Sequence, residues 1–180
     1  QDAGFSAAGI AGHLGPEYTE ALHRGEPEAV ALGASGDSRL DRLIRIFVLH
    51  EHVPATLLSD VLGARLATQL LDSGVALTDD HGTVYVAYDI RPHVIVGKNR
   101  VVFSDVDASL VDHVPGPEHV LGVGSASLSL LHSTPTTPVS SVLDLGTGSG
   151  VQVLGQLDSA ERIVATDVHE RAIELARATV

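Results

Sequence analysis

Cysteine is absent from the 180 residues, which excludes disulfides and thiolate chemistry. Methionine is absent too, and the chain opens at Gln1, which implies that the natural start precedes it. Basic side chains are scarce: 11 Lys and Arg stand against 23 Asp and Glu, for a net charge of −12. Non-specific nucleic-acid binding draws its free energy from cations that neutralise phosphates. With this balance and no basic cluster, a stand-alone DNA- or RNA-binding protein is disfavoured. No apolar run approaches the roughly 20 residues of a membrane span, and no charged-then-apolar leader opens the chain. No membrane association and a cytoplasmic location are therefore expected. The H-E-x-x-H, G-x-S-x-G and Gly-Lys-Ser/Thr patterns are all missing. His50 and His52 are two apart, which places them on different faces of a helix, so no metal site is expected.

What is present is apolar content of 44%, enough for a core in one or two domains at this length. Residues 1–36 are rich in Ala and Gly, with helical patches over 5–14 and 16–23. Pro16 suits a first helical turn, and Gly15 and Gly25 suit breaks. Gly33-Ala34-Ser35-Gly36 reads as a flexible link, which makes 1–36 a small helical lead-in.

Ser38-Arg39-Leu40-Asp41 has capping-box spacing. Leu40, Leu43, Ile44 and Phe47 then recur at the spacing of an amphipathic helix that runs to about His50. Pro54 opens a second helix carrying Leu57, Leu58, Val61 and Leu62, stopped by Gly63. A third covers 64–73 with Leu66, Leu70 and Leu71 inward, and Gly74 ends it. Strands at 75–77 and 83–90 flank the turn Asp79-Asp80-His81-Gly82, with Val84, Val86, Tyr88 and Ile90 on one face of the second. Three helices and a hairpin in that order make a winged-helix-like α+β domain.

As a groove reader this domain is poorly equipped. Its third helix offers only Arg65 and Gln69, and its wing carries Asp79 and Asp80 without a cation. A scaffold or docking role is favoured. Strands at 94–96 and 100–103 around Gly97-Lys98-Asn99 add a second hairpin, which extends the domain over 37–112. Asp105-Val106-Asp107 lacks the surrounding ligands of a calcium loop and reads as solvated turn residues. Pro115-Gly116-Pro117 marks a linker, so a last domain begins near 113 and runs to 180.

The sharpest pattern is Val142-Leu143-Asp144-Leu145-Gly146-Thr147-Gly148-Ser149-Gly150. Val142, Leu143 and Leu145 read as a short buried strand, three alternate glycines follow, and an apolar run over 151–157 resumes as a helix. A second strand over 162–166 ends in Asp167, 21 positions beyond Gly146, and a helix over 170–179 follows. Glycine is required where the turn is tight and a ligand lies against bare backbone. An acid at the tip of the second strand suits the two hydroxyls of a ribose. The expected fold class is mixed α/β, with the winged-helix-like domain followed by the first part of a Rossmann-like domain.

Dinucleotide enzymes use G-x-G-x-x-G, whereas this stretch is D-x-G-x-G-x-G, with Asp144 two residues before the first glycine. A carboxylate there repels a pyrophosphate and suits a ligand whose amino-acid end carries an ammonium. The spacing points to S-adenosylmethionine, which has no phosphate. An NAD-binding oxidoreductase, a glycine turn without a ligand, and a regulatory winged-helix module that binds nucleic acid are the alternatives.

The stretch from Asp144 to Gly150 closely resembles motif I of the class I S-adenosylmethionine-dependent methyltransferases. From about residue 35 the chain resembles an actinobacterial-type group of these enzymes with an N-terminal winged-helix-like domain, akin to the small-domain and release-factor glutamine methyltransferases. The likeness is carried by residues 40–47, Asp89-Ile90-Arg91-Pro92, His119-Val120-Leu121-Gly122-Val123-Gly124-Ser125-Ala126-Ser127, residues 143–152, and Ala165-Thr166-Asp167 with Arg171-Ala172.

The resemblance implies methyl transfer to a nitrogen of a protein glutamine, an rRNA base or a DNA base. It implies that Asp144 steers the methionine portion of the cofactor, and that backbone at Gly146, Thr147, Gly148 and Gly150 lies against it. Asp167 would hold the ribose and Val168 would line the adenine. Gly124, Ser125 and Ser127 would fold back over the methionine end; the alternative is a plain packing helix. Enzymes of this kind carry a later Asn/Asp-Pro-Pro-Tyr/Phe motif, and none occurs in these 180 residues. The resemblance thus implies a C-terminally truncated member, inactive alone, with its acceptor-clamping part and catalytic groups elsewhere. Two strands and two helices cannot bury both faces of a parallel sheet, so missing residues or a second copy of the chain would cover the rest.

Overall fold

A computed structural model describes residues 3–110 and 114–180 of a mixed α/β chain. It divides into two compact units, Gln1–Asp89 with Ser109–Asp112, and Ile90–Ala108 with His113–Val180. The expected limit between residues 112 and 113 falls outside the described residues.

The first unit opens with α1 (Ala7–Arg24), which Ser6 caps by accepting a hydrogen bond from the Gly9 N–H at 3.1 Å. Its helical geometry breaks at Gly15, just ahead of Pro16, so α1 is two helical segments in sequence. Helix α2 (Pro27–Gly33) and helix α3 (Arg39–Phe47) follow. Ile10 and Leu14 of α1, Val30 of α2, Ala34, Ile44 of α3 and Val48 form one buried cluster, so all three helices share a core.

The reading of residues 33–36 as a flexible link is corrected here. Ala34 is fully buried, and a Cβ at Gly33 would lie 2.7 Å from the Tyr18 ring. One at Gly36 would lie 2.7 Å from Oδ2 of Asp41. Glycine in this stretch permits close approach, not slack.

The capping box at the start of α3 is present: Ser38 and Asp41 each accept a hydrogen bond from the other's backbone N–H. Asp41 is buried and also meets Nε2 of His13 at 2.7 Å. Burial pushes its pKa up, but the Ser38 hydroxyl, His13 and the Ser38 N–H outweigh burial and leave the carboxyl below its ordinary value.

Strand β1 (Val53–Pro54), α4 (Ala55–Leu62), α5 (Ala64–Asp72), β2 (Ala76–Thr78) and β3 (Thr83–Val86) complete a winged-helix-like arrangement. The strands form an antiparallel sheet in the order β1–β3–β2. Within α5 the buried position is Ala67, while Leu66, expected inward, is 44% exposed. Strand β3 stops at Val86, and the parity of burial then flips, so that Asp89 is buried where Ile90 was expected. In the wing turn, Asp79 is committed to structure, accepting from the His81 and Thr83 N–H groups at 2.9 Å and pairing with His52. His50 and His52 serve different partners, the Val86 carbonyl and Asp79. Across the residues of this unit, five basic side chains face fourteen acidic ones.

The second unit begins with a hairpin of β4 (Asp89–Ile95) and β5 (Lys98–Ser104). Its loop is Val96-Gly97, not the expected Gly97-Lys98-Asn99, and both loop residues have positive φ, 46° and 71°. Two left-handed residues in succession match the twist of the flanking strands. Helix α6 (Ser125–Ser133), β6 (Val139–Leu145), α7 (Val151–Gln156), β7 (Ala160–Thr166) and α8 (Glu170–Thr179) follow. Ile95 and Val102 of the hairpin are buried with Leu131 of α6 and Val151 and Leu154 of α7. That shared core is why the hairpin groups with the later residues.

Strands β6 and β7 are parallel, joined through α7, with Leu143 opposite Val164 and Leu145 opposite Thr166. Leu143, Leu145 and Val164 are 60%, 73% and 36% exposed, so among the described residues this face of the pair is open, where a buried strand was expected at Leu143 and Leu145. Among the described residues no helix is long and apolar enough to cross a membrane.

Val96 holds a left-handed conformation that disfavours a β-branched side chain, and it is half exposed. Val96→Asn, matching the Asn-Gly preference of such loops, should stabilise the chain by about 1 kcal/mol. A thermal melt should rise by roughly 2–4 °C; a fall would contradict the loop geometry.

Candidate functional site

The site is built where β6 and β7 end side by side. Asp144 is paired with Ala165 and Leu145 with Thr166, so the chain leaves both strands at the same level. The turn that follows β6 is fastened to β7 at once: the N–H groups of Gly146 and Thr147 both donate to the Thr166 carbonyl, at 2.8 and 2.9 Å. Gly146, Gly148 and Gly150 have φ of 72°, 52° and 80°, which side-chain-bearing residues rarely adopt. A Cβ at Gly146 or Gly148 would meet nothing within 4 Å, so bare backbone there faces open space.

Asp167 follows β7 and reaches across. Its Oδ2 accepts from the Gly148 N–H at 3.0 Å and its Oδ1 from the His169 N–H at 3.1 Å. The Gly148 N–H, followed by that of His169, holds this carboxyl below the ordinary value against a smaller opposing effect of burial. A carboxylate offers about four lone-pair positions, more than the bonds from Gly148 and His169 fill. Asp144 is half-buried, and its Oδ2 accepts from the Thr147 hydroxyl at 2.8 Å. The turn is therefore flanked by two carboxylates, each oriented by the turn itself.

The residues read from the pattern thus fall together: Asp144, Gly146, Thr147, Gly148, Gly150 and Asp167 share one end of the parallel pair. Val168 is beside Asp167 and 92% exposed. Gly124, Ser125 and Ser127 lie at the start of α6, and two bonds join this region to the turn and to α7. The Ser149 hydroxyl donates to the Leu121 carbonyl at 2.9 Å, and Nε2 of Gln152 donates to the Ser127 carbonyl at 2.8 Å. The Ser127 hydroxyl itself is engaged with the backbone of Gly124 and caps α6. Gly124 is extended, with open space where a Cβ would stand.

Two residues given no role by the sequence do the fastening. Ser149 is buried at 4%, and Gln152 sits one residue into α7 among apolar neighbours. A polar side chain inside an otherwise apolar helical run was the available signal for Gln152. Asp105 is a correction. Expected to be a solvated turn residue, it is 11% exposed and forms a two-pronged ion pair with Arg171, its oxygens 3.0 and 3.1 Å from Nε. Among the described residues no group of three or more His, Asp or Glu is placed to hold a metal.

Residues 2–87 match a family model described as a domain of unknown function (DUF7059), a stretch that ends before the glycine turn. No curated protein matches the chain.

Because the folded pKa of Asp167 lies below 3.8, its contribution to stability is full above the unfolded value of about 3.9. That contribution fades as pH falls through the folded pKa. Below about pH 4 the urea midpoint should drop, and it should drop less steeply in Asp167→Asn, which has no such proton to bind. Parallel curves would count against the bond from Gly148.

Proposed function

We propose that this chain carries the S-adenosylmethionine-binding part of a methyltransferase that acts on a nitrogen of a protein or nucleic-acid acceptor. The observation that supports it best is the pair of carboxylates on either side of a side-chain-free turn. Two negative charges at one turn disfavour a pyrophosphate and favour a ligand with cationic groups and no phosphate. A nucleoside with an ammonium at one end and a diol in the middle matches both acids.

In this reading the free lone pairs of Asp167 take the two ribose hydroxyls, while its bond to Gly148 keeps the carboxylate aimed. Asp144, fixed by Thr147, faces the ammonium directly or through water. Backbone at Gly146 and Gly148 allows van der Waals approach that any side chain would prevent. Val168 supplies an apolar edge for the base. When bound, S-adenosylmethionine supplies an electrophilic methyl group; the chain supplies orientation and removal of water. No residue here is assigned as acid, base or nucleophile. The acidic first unit, with five basic against fourteen acidic residues, favours a scaffold or docking role over groove reading.

Titration calorimetry with S-adenosylhomocysteine should show saturable binding. Asp167→Ala should weaken it by about a hundredfold, the loss of two hydrogen bonds to a charged group. Heat with NAD and silence with both sulfonium and thioether nucleosides would overturn the reading.

A further inference from the structure

Asp105 joins three segments of the second unit that are distant in sequence. It directly follows the hairpin strand β5, and its carboxylate takes Nε of Arg171 at 3.0 and 3.1 Å together with a second guanidinium nitrogen. The same carboxylate accepts the Val120 N–H at 2.8 Å, and the Asp105 N–H donates to the Val120 carbonyl at 3.0 Å. His119 Nδ1 stands 3.8 Å from Oδ2. Burial pushes this carboxyl's pKa up, yet Arg171 and the Val120 N–H outweigh burial and hold it down, so the group remains a charged hub.

Each arm of the hub leads to one wall of the glycine turn. Val120 precedes Leu121, whose carbonyl takes the Ser149 hydroxyl from the turn. Arg171 lies in the first turn of α8, four residues beyond Asp167, whose Oδ1 takes the His169 N–H at the foot of that helix. A planar fork on a carboxylate fixes orientation as well as distance. One ion pair therefore sets how the segment before α6 and the start of α8 stand about the turn.

We propose that Asp105 is a positioning residue for the nucleoside site: through Arg171 and Val120 it holds Asp167 and the Leu121–Ser149 contact in register. This rests on the reading of the turn given above. It assigns no direct contact between Asp105 and the ligand.

The test is calorimetry with S-adenosylhomocysteine on the 180-residue chain, with hydrogen exchange of the ligand-free protein alongside. Asp105→Asn and Arg171→Gln should each weaken binding about tenfold. The double variant should be no weaker than the worse single one, since both break one pair. Val102→Ala, a core change in the same unit, should lower the melting temperature at least as far and leave affinity within about twofold. In Asp105→Asn the Gly148 amide, which Asp105 does not touch, should exchange faster.

Unaltered affinity in Asp105→Asn, with binding by the unaltered chain intact, overturns the role while leaving the reading of the site standing. Equal weakening by Val102→Ala overturns it as mere stability. Silence of the unaltered chain toward the nucleoside overturns the reading of the site and this role with it.

Discussion

Two N–H groups converging on the Thr166 carbonyl fix the path of the glycine turn. Parallel pairing alone would bring the ends of β6 and β7 to one level. It would not decide where the chain goes next. With Gly146 and Thr147 both bound to the last residue of β7, the turn must fold toward Asp167 and present Gly148 to it. Left-handed backbone at the alternate glycines is the condition for this path. The Thr147 hydroxyl on Asp144 and the Gly148 N–H on Asp167 follow from that path.

Both units use the same device to join segments far apart in sequence, a carboxylate largely withdrawn from water and surrounded by donors. Asp41 gathers Ser38 and His13 onto the start of α3, and Asp105 gathers Arg171 and Val120. Withdrawing such a group from water is unfavourable unless its lone pairs are filled. In each case enough donors are supplied to keep the carboxyl ionised below its ordinary pKa. The devices tolerate little change, because removing one partner leaves the other charged and short of hydrogen bonds.

Local chemistry was legible in the sequence; long-range pairing was not. The capping box at Ser38 and Asp41, the stop at Gly63 and the extent of α8 are written in residues a few positions apart, and each stands at the expected place. The residues around the glycine turn were legible for the same reason, since an acid, three glycines and a second acid lie on one strand–turn–helix path. Val96 carries no turn signal because β-branched residues seldom take positive φ, and the loop falls at 96–97 where the sequence predicts 97–99. Gly33 and Gly36 were misread because a glycine that admits a neighbour looks, in one dimension, like a glycine that bends. The partner of Asp105 is 66 residues away, and no spacing rule reaches that far. Leu66 shows the limit of periodicity: its neighbour Ala67, smaller and less conspicuous, occupies the inward position in α5.

The bond between Asp167 and Gly148 ties the turn after β6 to the residue after β7. On the proposed reading, a nucleoside seating on the turn meets a carboxylate aimed by the Gly148 and His169 N–H groups. Association would then carry little conformational cost from the protein side. Its heat-capacity change should come from surface dehydrated by the ligand and not from ordering of the loop. On the proposed reading, selectivity would reside in shape and charge set by the path of the turn.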